Sequence, residues 1–141
     1  MPKPVLVVID VQERLFSAMD TERREEMVRN IKILGAAARR LGLPVLATEQ
    51  YPKGLGPSRV ILAGIEAHVC ILLTALDLLG QGFHVSVVAD AVASRTPAKL
   101  ELGLAQARQA GAVVTATETV VFQLLGSADT EAFREIAKLL K

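Results

Sequence analysis

Five short runs of apolar residues set the frame for this chain: PVLVVID (4–10), PVLAT (44–48), VILAGI (60–65), HVSVVAD (84–90) and AVVTAT (112–117). A strand with one wet face alternates apolar and polar residues, and these runs are continuous instead. Continuous apolar strands belong to a parallel sheet with helices covering both faces. Helical segments separate most of the runs. From about Asp20 to Arg40, Met27, Ile31, Leu34, Ala38 and Leu41 recur at spacings of three and four and form one stripe. Asp20 or Thr21 can cap its start, and Gly42 can end it. A second helix is expected from about His68 to Leu79; it is apolar nearly all round, so burial is expected. A third has Thr96 as N-cap and Pro97 at its first position, and ends at Gly111. TVVFQLL (119–125) is a short helix, and Asp129 or Thr130 caps a last one with Phe133, Ile136 and Leu140 inward. Three helix-to-strand joints, LGLPV, QGFHV and AGAVV, each supply a glycine and then a strand within three residues. The predicted fold is α/β: a doubly wound, three-layer domain around a central parallel sheet.

The 141 residues fit one domain, spanning 1–141, and 51% hydrophobic content lets it build a core without disulfides or metals. The net charge is +1 with both signs interspersed, against the basic stripe of a nucleic-acid or membrane-surface protein. No apolar run reaches the ~18 residues of a membrane span. The opening MPKPVLVVID lacks the longer apolar region and cleavage site of a signal peptide. The single cysteine, Cys70, cannot form an internal disulfide, which fits a cytoplasmic location.

One joint is too short. From Tyr51 to Arg59 only nine residues, YPKGLGPSR, connect strand two to strand three, with two prolines, two glycines and no helical periodicity. Parallel strands normally need a crossover of a dozen or more residues. Nine residues reach at most ~30 Å when fully extended. Crossing strand one as well, as open doubly wound sheets require, leaves no slack. The expectation is that a segment between Gly56 and Arg59 is omitted from this sequence. The alternatives are a true deletion, or strand two pairing elsewhere.

Ligands of open α/β sheets bind beyond the carboxyl ends of the strands. There the sequence places Asp10, then Glu49 and Gln50, then EAHVC after strand three, then Asp90, Ser94 and Arg95, and Glu118 after strand five. Cys70 falls in the first turn of the second helix, where unpaired N–H groups and the helix dipole favour a thiolate. The same N–H groups can hold an oxyanion, and Asp10 can move the proton. A carboxylate beside a thiolate calls for a cation. Bland readings stand beside these. Cys70 also suits a small buried hydrophobe. Asp10 also suits a turn cap. Gln12 bonds backbone and shapes the pocket, or is purely structural. Glu49, Gln50 and Tyr51 line a pocket or belong to a capped turn. His68 reads as a helix-start residue and His84 as structural. Ser94 and Arg95 bind an anion or form an ordinary helix entry.

Four stretches, VVIDVQERLF, TEQYPKGLGP, ILAGIEAHVC with LDLL following, and VVADAVASR, together resemble the isochorismatase-like cysteine hydrolases. The likeness is to the isochorismatase-domain-containing and YcaC-like branch, and it runs almost end to end. It implies a parallel sheet carrying an Asp–Lys–Cys triad, with Asp10 matching the aspartate and Cys70 the nucleophile. It also implies a cis peptide between Ile65 and Glu66 that turns the Glu66 N–H toward the oxyanion, beside that of Cys70. The family lysine lies between the GLGP stretch and the next strand, in a segment that also holds a short sixth edge strand. This sequence lacks that segment, at the joint already found too short. Lys53 is the nearest lysine and does not match the catalytic position. Relatives that bind a metal use an Asp and two closely spaced His; the two His here are far apart, so no metal is expected.

The resulting expectation is a cysteine hydrolase of a small carbonyl or amide substrate, working through a covalent thioester and needing no cofactor. Partners expected are the small-molecule substrate and further copies of the chain, with no nucleic acid and no membrane. Two rivals are a binding scaffold of the same fold without the lysine, and a thiol redox sensor built on Cys70 alone.

Overall fold

The computed structural model describes residues 4–9, 17–47 and 59–141. Asp10, Gln12, Glu49, Gln50, Tyr51 and Lys53 lie outside the described residues, as does the Gly56–Arg59 joint up to residue 58. Five described strands form one sheet: β1 Val5–Ile9, β2 Val45–Ala47, β3 Arg59–Ile65, β4 His84–Ala93 and β5 Val113–Thr115. All pairings are parallel and the order is β2-β1-β3-β4-β5. Strand two pairs with β1, so that alternative for the short joint falls away. The chain steps outward from β1 to β2, then returns across β1 to β3. The order reverses between β1 and β3, and the carboxyl ends at such a reversal are where open α/β sheets bind their ligands.

Both faces of the central strands β1, β3 and β4 are largely buried, which explains their apolar runs, whereas the edge strands β2 and β5, whose runs read as equally buried, leave Val45 and Val113 exposed. Val5, Val7, Ile9, Val60, Leu62, Val85 and Val87 pack into one core. Leu6, Ile61, Ala63 and Val88 point the other way into a second. The second core is closed by α1 (Thr21–Arg40), α4 (Thr117–Leu125) and α5 (Glu131–Ala137). The first is closed by α2 (Leu72–Gly80) and α3 (Pro97–Ala110). Of the paired cap candidates, Asp20 accepts the Arg23 N–H at 3.3 Å, and Thr130 accepts that of Phe133 at 3.0 Å. Thr96 accepts that of Lys99 at 3.2 Å.

Two expectations need correction. The second helix is not buried all round. A π turn, Ala67–Ile71, precedes α2, and Leu72, Ala75 and Leu78 face the core while Val69, Leu73 and Leu76 are exposed. A helix laid on a sheet hides one face only, whatever its composition. Strand four also runs beyond residue 90. Leu62 pairs with Val87, yet Gly64 pairs with Val92, so β4 bulges between these points. Side chains of α1 satisfy the bulged backbone: Asn30 Nδ2 donates to the Asp90 carbonyl at 2.7 Å, and Arg23 Nη2 donates to the carbonyls of Ala89 and Val92.

The bulge also presents the Asp90 carboxylate to α4. Its Oδ1 accepts the Thr117 N–H at 2.8 Å and the Thr117 hydroxyl at 2.7 Å. That is why Thr117 opens a helix rather than ending the fifth strand: a cap arrives from another element. Asp90→Ala strands two donors of a residue that is 1% exposed. The expected loss is about 2–3 kcal/mol, read as a lower urea midpoint with unchanged slope.

Candidate active site

The candidate site lies at the carboxyl ends of β1 and β3. Their register places Ile9, the last described residue of β1, opposite Gly64. Gly64 has φ +122°, a conformation that only glycine adopts readily. A Cβ there would lie 2.1 Å from the Ile9 carbonyl oxygen. The two strands therefore approach this closely because residue 64 has no side chain. After Gly64 the chain passes through Ile65 and a cis Ile65–Glu66 peptide into the π turn.

The Glu66 carbonyl organises that turn. It accepts the N–H of Val69 and the N–H of Ile71, each at 3.1 Å. The second bond spans five residues and defines the π geometry. Cys70 sits between those two donors, half-buried against the core that contains Val5, Val7, Val60 and Leu62. It occupies the start of the helical segment, as the sequence places it, but in a π turn ahead of α2 rather than in an α-helical first turn.

Contacts reach the turn from the β4–α3 connection and from α3. The Glu66 side chain is buried, and its Oε2 accepts the Arg95 backbone N–H and the Arg95 Nε–H, each at 3.0 Å. His68 Nδ1 and the buried Ser94 Oγ lie 2.9 Å apart. Gly103 of α3 lies against the backbone of Ala67 and His68. Beside Arg95, a cleft of about 280 Å³ is lined by Asp20, Arg23, Ser94, Arg95, Thr96, Pro97 and Leu100. A larger one, about 870 Å³, runs along α1 between Ser17 and Leu139 and includes none of the thiol-turn residues.

The structure thus brings Cys70, Ile65 and Glu66 together at the carboxyl edge. His84 starts β4 at the opposite edge, and Glu118 is exposed in the first turn of α4. At the amino edge, burial lowers the pKa of Arg59, while pairing with Glu135 raises that of Arg40. Among the described residues no three His, Cys, Asp or Glu side chains cluster for a metal. None of the described helices is long and apolar enough to cross a membrane. Sequence reasoning missed the pairing of Arg95 with Glu66. The available signal was a glutamate directly after a buried strand, where burial of a carboxylate demands a partner.

A parallel sheet in this order, with a thiol on the turn beyond its central strand, defines a doubly wound α/β domain with its candidate site at the β1/β3 reversal. The model of the isochorismatase domain matches this chain in two stretches, residues 4–59 and 53–119, and the chain belongs to that family of isochorismatase-like hydrolases. Isochorismatase domain-containing protein 2 of Xenopus laevis is 34% identical over 171 aligned residues, covering 96% of this chain and 82% of the relative. The Homo sapiens protein of the same name is 38% identical over 138 residues, covering 74% and 67%. The 171-residue alignment is longer than this whole chain of 141. Among solved structures, the MAR1 ribonuclease from Caenorhabditis elegans superposes with a TM-score of 0.86 at 35% identity, covering 98% of this chain and 89% of that one. YcaC from Pseudomonas aeruginosa, solved with covalent acrylamide, shares the fold with a TM-score of 0.84 at 22% identity, covering 97% and 88%.

Proposed function

We propose that this protein is a cysteine hydrolase of a small carbonyl or amide substrate, with Cys70 as nucleophile and Asp10 as proton shuttle. The observation that carries the reading is the position of Cys70: it lies on the turn leaving β3, at the β1/β3 reversal, beside the carboxyl end of β1, whose last residue Ile9 immediately precedes Asp10 in the sequence. In the proposed cycle the thiolate attacks the substrate carbonyl carbon, forming a C–S bond and pushing the π electrons onto oxygen. N–H groups of the turn at Glu66 and Cys70 hold that oxyanion. Its collapse breaks the C–N bond, and the amine leaves with a proton from Asp10. Water, deprotonated by Asp10, then attacks the thioester, and the thiolate departs. No cofactor enters this cycle.

The third member of the triad, a lysine, belongs in this reading to a segment between Gly56 and Arg59 that this sequence omits. Two facts support it: the family match comes as two stretches that overlap over residues 53–59 instead of one continuous run, and the Xenopus laevis alignment exceeds the chain length. Association of copies fits the exposed Val69, Leu73 and Leu76, and the YcaC protein of Escherichia coli is described as an octameric hydrolase. The ribonuclease name of the Caenorhabditis elegans neighbour does not shift the reading, because a net charge of +1 with both signs interspersed along the sequence gives no support to RNA binding. A cytoplasmic site of action goes with the lone thiol.

Acrylamide alkylation, followed by intact mass, tests the proposal. One adduct per chain is expected, on Cys70, formed at neutral pH at least about tenfold faster than on free cysteine. The unmodified mass, set against 15.1 kDa, reports at the same time whether a further segment exists. Alkylation no faster than free cysteine at any pH would favour the scaffold instead. Reversible peroxide oxidation that is indifferent to Asp10→Asn would favour the redox sensor.

A further inference from the structure

We propose that Arg95 is a positioning residue for Cys70, acting through the buried carboxylate of Glu66. The inference deepens the hydrolase reading and rests on it for its catalytic meaning. Glu66 is 4% exposed, and a carboxylate taken out of water is tolerated only with partners. Arg95 supplies two bonds to one oxygen, from its backbone N–H and from its guanidinium Nε. The Arg95 side chain is 47% exposed, so the cation reaches in from the surface while the anion is the anchored end. The carbonyl of the same glutamate holds Val69 and Ile71, the residues on either side of Cys70. One residue therefore ties Arg95 at its side chain to the thiol turn at its backbone. Ser94 adds a neighbouring tie through His68. The β4–α3 connection thus grips the turn at positions 66 and 68.

The pair has an electrostatic side as well. Cys70 is four residues beyond Glu66, about one turn on. A carboxylate on the same turn as a thiol opposes formation of a thiolate to the extent that no cation offsets it. Among the described residues, the charged and titratable groups around the turn include Glu66 and His68 on it, Arg95 bonded to it, and Asp20 and Arg23 across the cleft that Arg95 lines. At the closest approach of α3 stands Gly103, which brings no charge, and Asp77 of α2 is exposed farther along. The cation bonded to the thiol turn among the described residues is Arg95.

The test is the pH profile of Cys70 alkylation by acrylamide, read by intact mass on folded protein checked by circular dichroism. Arg95→Gln is expected to move the midpoint of the profile up by about one pH unit, close to tenfold slower at neutral pH. Arg95→Lys, which keeps the charge, is expected to recover most of that shift. Glu66→Gln and the double variant Glu66→Gln/Arg95→Gln are expected to differ by less than about twofold, because without the carboxylate's charge Arg95 has no anion to pair with or offset. If Arg95→Gln does not fold, the comparison of Glu66→Gln with the double variant decides alone. An Arg95→Gln profile that superimposes on wild type overturns the inference. So does a double variant slower than Glu66→Gln by the full Arg95→Gln factor. The absolute wild-type rate judges the hydrolase reading, whereas these differences judge Arg95, so the two can fail separately.

Discussion

Gly64→Ala is expected to cost about 3–5 kcal/mol, seen as a large fall in the urea midpoint at unchanged slope, or as failure to accumulate folded protein. Two penalties combine. The backbone at φ +122° is one that a residue with a Cβ rarely adopts. The added Cβ would also meet backbone atoms of Ile9, the carbonyl oxygen at 2.1 Å and the nitrogen at 2.8 Å. A flexible side chain could swing away, but strand backbone cannot. Relief requires β1 to separate from β3, two strands held by five register pairs from Val5–Val60 to Ile9–Gly64. That same separation would widen the gap between the end of β1 and the thiol turn. Any folded fraction should therefore alkylate at Cys70 more slowly. A loss below about 1 kcal/mol would mean that the β1–β3 approach is looser than the structure has it.

Gly103→Ala is expected to destabilise by about 2–3 kcal/mol, and the sign is the informative part. Within a helix, Gly to Ala ordinarily gains up to about 1 kcal/mol. At Gly103 the new Cβ would lie 2.7 Å from both the Ala67 carbonyl oxygen and the His68 Cα, backbone atoms of the thiol turn. Either α3 lifts from the turn or the turn shifts, and in both cases the Glu66–Arg95 and His68–Ser94 contacts are pulled out of alignment. Gly35 supplies the control: it lies in α1 with nothing within 4 Å of the added Cβ, so Gly35→Ala should follow ordinary helix propensity. Thermal or urea midpoints of the two variants should move in opposite directions. A Gly103→Ala protein as stable as Gly35→Ala would remove the tight α3–turn contact from the account.

Much of the framework was legible before the structure. The central strands were visible because a strand covered on both faces is mostly apolar, and β1, β3 and most of β4 are buried; the edge strands β2 and β5 carry equally apolar runs although Val45 and Val113 stand exposed. Helix starts at Asp20, Thr96 and Thr130 were visible because a cap is a local bond over three residues. The short joint was visible because chain length bounds reach. At the candidate site, the sequence placed Cys70 just beyond a central strand, and the structure puts it there. The four stretches that suggested the family did so through local order along the chain, and the family match spans the same region. Asp10 and the Glu49–Tyr51 group lie outside the described residues, so their part in the site stays with the proposal.

What the sequence by itself determined, then, is layering: which segments are strands, which are helices, and that helices must cover both faces. Those are consequences of each residue's own burial and of bonds a few residues apart. Only the tertiary structure decided that α2 keeps Leu73 and Leu76 in the open, that β4 bulges to hand Asp90 to α4, and that Arg95 reaches Glu66. Local hydrophobicity states how apolar a segment is, not what lies against it. The contacts of Glu66 with Arg95 and of Asp90 with Thr117 join residues 29 and 27 positions apart. Such pairs leave no periodic trace along the chain, because they depend on which strands become neighbours, and strand order is a property of the assembled sheet.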